Sequence, residues 1–132
     1  MKYMLDTNIC IFIMKEDIIV LDKLKTVNFS DICISAISLS ELEYGVFKSQ
    51  QYERNRKILN SFIKYFSIMP YSKEVATEYG KIRAELEKIG KPIGSMDMLI
   101  AAHALTENLT LITNNKKEFV RINHLKIEDW KN

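Results

Sequence analysis

The sequence predicts an α/β fold, a short parallel β-sheet of about four to five strands sandwiched by helices. Two observations point there. Short apolar, β-branched runs alternate with longer stretches whose apolar residues recur at the helical period. Acidic side chains also stand where strand gives way to helix, and in an open α/β sheet those junctions share the edge where ligands bind. The 132 residues fit one domain, 1–132, and four Gly and two Pro leave little room for long loops or disordered tails.

Lys2 to Leu5 reads as a short buried strand, and Asp6 can cap a helix that begins near Thr7 and runs to about Met14. That helix is apolar almost all round, so it is either deeply buried or covered by another chain. Ile18 to Leu24 continues as a second short helix. Asp31 to Ala36 is a second strand. Ser38-Leu39-Ser40-Glu41 has the form of a capping box and predicts a helix opening at Ser38 and running to about Lys48. The next helix carries Ile58, Leu59, Phe62, Ile63 and Phe66 on one face, and Ser67 to Pro70 is a third strand. Ser72 to Ile89 is the clearest helix, with Val75, Tyr79, Ile82, Leu86 and Ile89 on its apolar face and Gly90 at its end. After a turn-rich break, Met96 to Asn108 is helical and Thr110 to Thr113 is a strand. Lys116 to Val120 forms a helical turn, and Leu125 to Trp130 forms a final edge strand.

Composition excludes some classes. No apolar run near the N-terminus is long enough to span a bilayer, Asp6 interrupts any secretory pattern, and the expected location is the cytoplasm. Cys10 and Cys33 lie in apolar contexts without metal-ligand spacing and read as buried free thiols. A net charge of +2 does not by itself call for a nucleic-acid partner. His103 and His124 lack partners at ligand spacing, which argues against zinc and leaves them as packing or surface residues.

Asp6, Glu41, Asp97 and Glu118 carry the chemistry. Each alone has a structural explanation as a cap, a first-turn charge or a solvated side chain. Together they place carboxylates on separate segments at one sheet edge, where they repel each other unless a cation sits among their oxygens. Oxygen-only ligands suit a hard ion, Mg²⁺ or Mn²⁺.

Four motifs in order then suggest a family. Met4-Leu5-Asp6-Thr7-Asn8, Ser35 to Gly45, Pro92 to Asp97 with Ile100 to Ala104, and Thr113-Asn114-Asn115-Lys116-Lys117-Glu118-Phe119 resemble the motifs of PIN-domain nucleases. More narrowly, the chain from Met4 to Trp130 resembles the VapC toxins of bacterial toxin–antitoxin pairs. The resemblance places the family glutamate at Glu41, not Glu43. Many PIN domains carry an aspartate where this chain has Asn115, so any fourth acid here is Glu118.

The resemblance implies a PIN-domain-like fold and a metal-dependent endoribonuclease, with tRNA anticodon stem-loops a common target. Asp6, Glu41 and Asp97 are expected to hold Mg²⁺ or Mn²⁺ and activate a water for in-line attack on the phosphate, with Asp97 accepting its proton. Thr7, Asn8, Thr113, Asn114 and Asn115 are cast as supports for the carboxylates or their water. Lys48, Arg54, Arg56 and Lys57, with Lys116, Lys117 and Arg121, are candidates for phosphate contacts. The implied partners are RNA, a VapB-like antitoxin whose C-terminal segment blocks the acids, and a second copy of the chain. The apolar run Ile9 to Met14, with Tyr44 and Phe47, offers surface for such contacts.

Two other readings remain at this stage. A phosphotransfer or phosphatase-type domain also uses acids and Mg²⁺, but it generally wants a second acid close to the first, and Asn8 stands two residues after Asp6. A catalytically idle antitoxin-binding module would keep the fold without cleavage.

Overall fold

The computed structural model describes residues 1–132. The chain runs β1 (Tyr3–Leu5), α1 (Thr7–Met14), α2 (Ile18–Leu24), β2 (Ile32–Ser35), α3 (Ala36–Lys48), α4 (Tyr52–Ile63) and β3 (Ser67–Met69). It continues with α5 (Lys73–Lys88), α6 (Ser95–Thr106), β4 (Thr110–Ile112), α7 (Lys116–Phe119) and β5 (Ile127–Glu128). All five strands are parallel, in the order β3-β2-β1-β4-β5.

The strands read as unbroken apolar runs because both sheet faces are covered. Neighbouring residues sort to opposite sides, as the two-residue period of a strand requires. Met4, Cys33 and Leu111 are in register and pack with Val75, Ile82 and Ile100 on one face. Leu5, Ile34 and Ile112 pack with Ile9, Leu42, Leu59 and Phe62 on the other. Cys10 and Cys33 are free and buried, and burial pushes the Cys33 thiol up to about 12 and the Cys10 thiol higher still. Neither is a nucleophile at neutral pH. No helix is long and apolar enough to cross a membrane.

Several boundaries differ from expectation. β2 stops at Ser35, whose side chain accepts from the Ile37 N–H, so α3 opens at Ala36 and Ser38 lies inside the helix. The capping box is therefore not formed. Ser38 is buried, and its hydroxyl has no partner. Phe66 falls beyond the end of α4 but still packs in the core, against Phe62. The last strand is reduced to Ile127–Glu128, since Trp130 turns inward and stacks edge-on against Tyr3. The apolar helix α1 splits its surface: Ile9, Cys10 and Ile13 are buried, while Ile11, Phe12 and Met14 are half-buried.

Candidate active site

β1 lies in the middle of the sheet, with β4 beside it. The chain leaves β1 into α1, which packs on one face, and leaves β4 toward α7, whose Phe119 packs on the other. Two neighbouring strands whose connections diverge open a crevice at their carboxyl ends. Asp6 and Thr113, the residues that follow those two strands, stand at that crevice.

Asp6 is buried and bonded on both oxygens. It caps α1, with Oδ1 accepting from the Thr7 N–H at 2.8 Å, and Oδ2 accepts from Thr113 Oγ1 at 2.8 Å. The Thr113 hydroxyl also accepts from the Asn115 N–H at 3.0 Å. Thr7 Oγ1 donates to Glu41 Oε1, which ties the start of α1 to α3. Asp97 projects from the first turn of α6, where Gly94 caps the helix without a side chain.

The electrostatics join these acids into one cluster. Burial raises the Asp6 carboxyl above its ordinary range, against the hydrogen bonds from Thr113 and Thr7, and Glu41 raises it further. Asp97 is pushed up to about 6, first by burial and then by the charges of Asp6, Glu118 and Glu41. The ion pairs of the chain are Arg56–Glu43, Arg83–Glu87 and Lys131–Asp17, so no cationic side chain pairs with any of the four acids. An acid cluster of this kind, lacking its own counter-charge, fits a divalent cation. No three of the acids form a ready-made ligand cage.

A second link joins the elements that carry Glu41 and Asp97. Buried Ser35, six residues before Glu41, pairs through Oγ with Nδ1 of buried His103, six residues after Asp97, at 2.7 Å. Burial holds the imidazole below its usual pKa. The pair locks the start of α3 to α6, and so fixes the helices that carry Glu41 and Asp97. A serine ending a β-branched run and a histidine on an apolar helical face were the only signals, and neither identifies its partner. His124, in contrast, is exposed.

The supporting residues divide. Thr7 and Thr113 hold carboxylates directly. Asn115 contributes its backbone N–H, while Asn114 buries an Oδ1 that has no protein partner. Asn8 is exposed and bonds none of the acids.

The candidate RNA contacts divide too. Lys48, Arg54, Lys57, Lys116 and Lys117 are exposed. Arg56 is not a free cation: its fork holds Glu43 with two hydrogen bonds, at 2.7 and 2.9 Å, and lies against Phe47 and Tyr52. A guanidinium facing a carboxylate across a helix pair takes the bidentate bond in preference to solvent, so Arg56 clamps α4 to α3. Arg121 is half-committed, donating to the Pro92 carbonyl at 3.1 Å.

Beside Glu41 a groove of about 1130 Å³ opens between α1, α3 and α4. Ile13, Leu42, Val46, Ile58 and Phe62 supply its apolar wall, and Arg54 and Lys57 stand along it.

Known proteins share this sequence pattern and fold. Residues 3–125 match the PIN domain family. The chain is 42% identical over 130 residues to the tRNA(fMet)-specific endonuclease VapC of Shigella flexneri, covering 98% of each. It is 46% identical over 137 residues to Ribonuclease VapC2 of Rickettsia felis, again with 98% of each covered. Among solved structures, DNA-bound VapBC from Salmonella typhimurium superposes with a TM-score of 0.94 at 43% identity, over 98% of both chains. VapBC2 from Rickettsia felis, bound to a DNA fragment from its promoter, superposes at 0.93 and 44% identity, over 98% of this chain and 99% of the other.

Proposed function

This chain belongs to the PIN-domain family, among its VapC ribonucleases, and on that premise we propose that it is a divalent-metal-dependent endoribonuclease, the toxin of a toxin–antitoxin pair. The substrate we assign is tRNA, cut in the cytoplasm so as to stop translation. The observation that carries the reading is the uncompensated acid cluster of Asp6, Glu41, Asp97 and Glu118 at the carboxyl edge of β1 and β4.

Asp6, Glu41 and Asp97 would hold Mg²⁺ or Mn²⁺, which supplies Lewis-acid polarisation of the phosphate and lowers the pKa of the attacking water. Thr113 and the Thr7 N–H keep the Asp6 carboxylate in one orientation, and the Thr7 hydroxyl does the same for Glu41. Asp97, whose carboxyl sits close to the operating pH, is the side chain suited to accept a proton. The exposed Lys116 and Lys117 beside Glu118 offer charge to RNA phosphates. The apolar groove that ends at Glu41 suits an antitoxin segment, which would cover the acids and silence them. A second copy of the chain completes the proposed assembly.

The test is cleavage of purified tRNA(fMet) by the purified protein. One discrete cut is expected in Mg²⁺, none in excess chelator, and none after adding the antitoxin encoded alongside. Uncut tRNA in Mg²⁺, with cellular RNA ends unchanged on expression of the chain alone, would remove the proposal. Glu118→Gln should slow cleavage at most about 10- to 100-fold, well below the loss in Asp97→Asn, because Glu118 acts on Asp97 through charge and bonds neither Asp6 nor Glu41. A loss as deep as that of an Asp6→Asn variant would instead make Glu118 a direct ligand.

A further inference from the structure

We propose that Tyr44 and Lys48 form a shelf on which one unpaired nucleotide of the RNA, next to the cut phosphate, stacks and is held. The proposal rests on the ribonuclease reading above and adds the part of the protein that selects unpaired RNA.

On α3, Glu41, Tyr44 and Lys48 recur at three- and four-residue spacing, so they form one stripe leading away from the acids. Tyr44 is 65% exposed, so the fold itself makes little use of the ring. Lys48 Nζ stands 5.0 Å from the ring centroid, and no carboxylate forms an ion pair with it. The next acid along α3, Glu43, is taken up by Arg56 and does not neutralise the stripe.

The apolar groove lies on the other side of Glu41, where α3 contributes Leu42, Gly45 and Val46 and neither Tyr44 nor Lys48. Glu41 therefore divides two surfaces of different chemistry. A peptide with apolar side chains is matched by the groove. A nucleotide is matched by the shelf: the Lys48 ammonium lies over the Tyr44 ring and is free of any carboxylate, so it can take the phosphate while a base stacks on the ring surface left exposed. Bases inside a duplex have no free face to offer, so the shelf favours loops over stems.

Kinetics on tRNA(fMet) with the full chain test this. Tyr44→Ala and Tyr44→Leu should raise KM roughly tenfold with kcat within about twofold, the scale of a lost base–aromatic stack. Tyr44→Phe, which keeps the ring, should restore the parental KM. Melting curves matching the parent would show that these surface variants fold. On an Asp97→Asn background, fluorescence anisotropy with a tRNA(fMet) stem-loop gives the same comparison without cleavage. A failure of the parent to cut is thereby distinguished from a failure of the shelf. An unchanged KM and unchanged stem-loop affinity in Tyr44→Leu overturn the proposal. So does loss of antitoxin affinity with RNA binding intact, which would make the shelf a protein contact.

Discussion

Asp97→Asn should abolish RNA cleavage in Mg²⁺ while making the metal-free protein more stable than the parent. Asp97 shares its surroundings with three other acids, and burial and their charges push its carboxyl up to about 6. Its ordinary value is 3.8, so folding favours the protonated form. That contribution to stability is complete below about pH 4 and is lost as the pH rises through about 6. The rise from 3.8 to about 6 corresponds to about 3 kcal/mol, which solvent screening of this half-buried group reduces, so at pH 7.5 without metal the ionised carboxylate costs the fold about 2 kcal/mol. Asparagine has nearly the same shape and no charge to bury, so the variant should melt about 3–10 °C higher in chelator at that pH. The parent's melting temperature should fall between pH 4.5 and 7, and the variant's should stay flatter. Mg²⁺ should reverse the ranking, because a cation that binds the folded parent stabilises it by mass action. Cleavage should drop on the order of 10³-fold, since an amide supplies neither the ligand charge nor a proton acceptor. Thermal melts with and without chelator, alongside tRNA cleavage rates, decide the matter. A variant that cuts within tenfold of the parent, or melts below it in chelator, contradicts the assignment of Asp97.

The same acids show what could be read from the chain. Strands buried on both faces declare themselves as apolar runs, and Asp6 follows β1 and Asp97 lies in the first turn of α6, as expected, whereas Glu41 falls in the second turn of α3 because that helix opens at Ala36. Glu41 and Glu43 stand two residues apart on α3, yet one accepts from Thr7 and the other binds Arg56. Local pattern misled at the opening of α3. Ser35 and Ser38 are equally good caps in sequence, and only the length of β2 decides between them. Arg56 looked like a phosphate ligand because its partner lies thirteen residues away on another helix. The Ser35–His103 pair spans 68 residues and left no local mark at either end. Contacts of this range are set by how helices pack, and one chain's periodicity does not encode them.

Thr113→Val should weaken both the fold and its hold on Mg²⁺, although the two side chains have nearly the same shape. The Thr113 hydroxyl is fully buried and is used twice, donating to Asp6 Oδ2 at 2.8 Å and accepting from the Asn115 N–H at 3.0 Å. Valine leaves a carboxylate oxygen and a backbone donor without partners. Each buried orphan costs about 1–3 kcal/mol, so a loss of about 2–4 kcal/mol is expected. The functional effect follows from the same bond. The donated hydrogen bond opposes the rise that burial imposes on the Asp6 carboxyl. Without it Asp6 gives up its proton less readily, and one of its oxygens is no longer aimed. The Mg²⁺ concentration for half-maximal cleavage should rise about 10- to 100-fold, the usual effect of losing a partner that orients a ligand. Thr113→Ser keeps the hydroxyl and should recover most of the Mg²⁺ response, even if the lost methyl lowers the melting temperature. The two substitutions thus separate the bond from the packing. If valine leaves the Mg²⁺ titration and the melt where the parent has them, Asp6 is held by Thr7 alone.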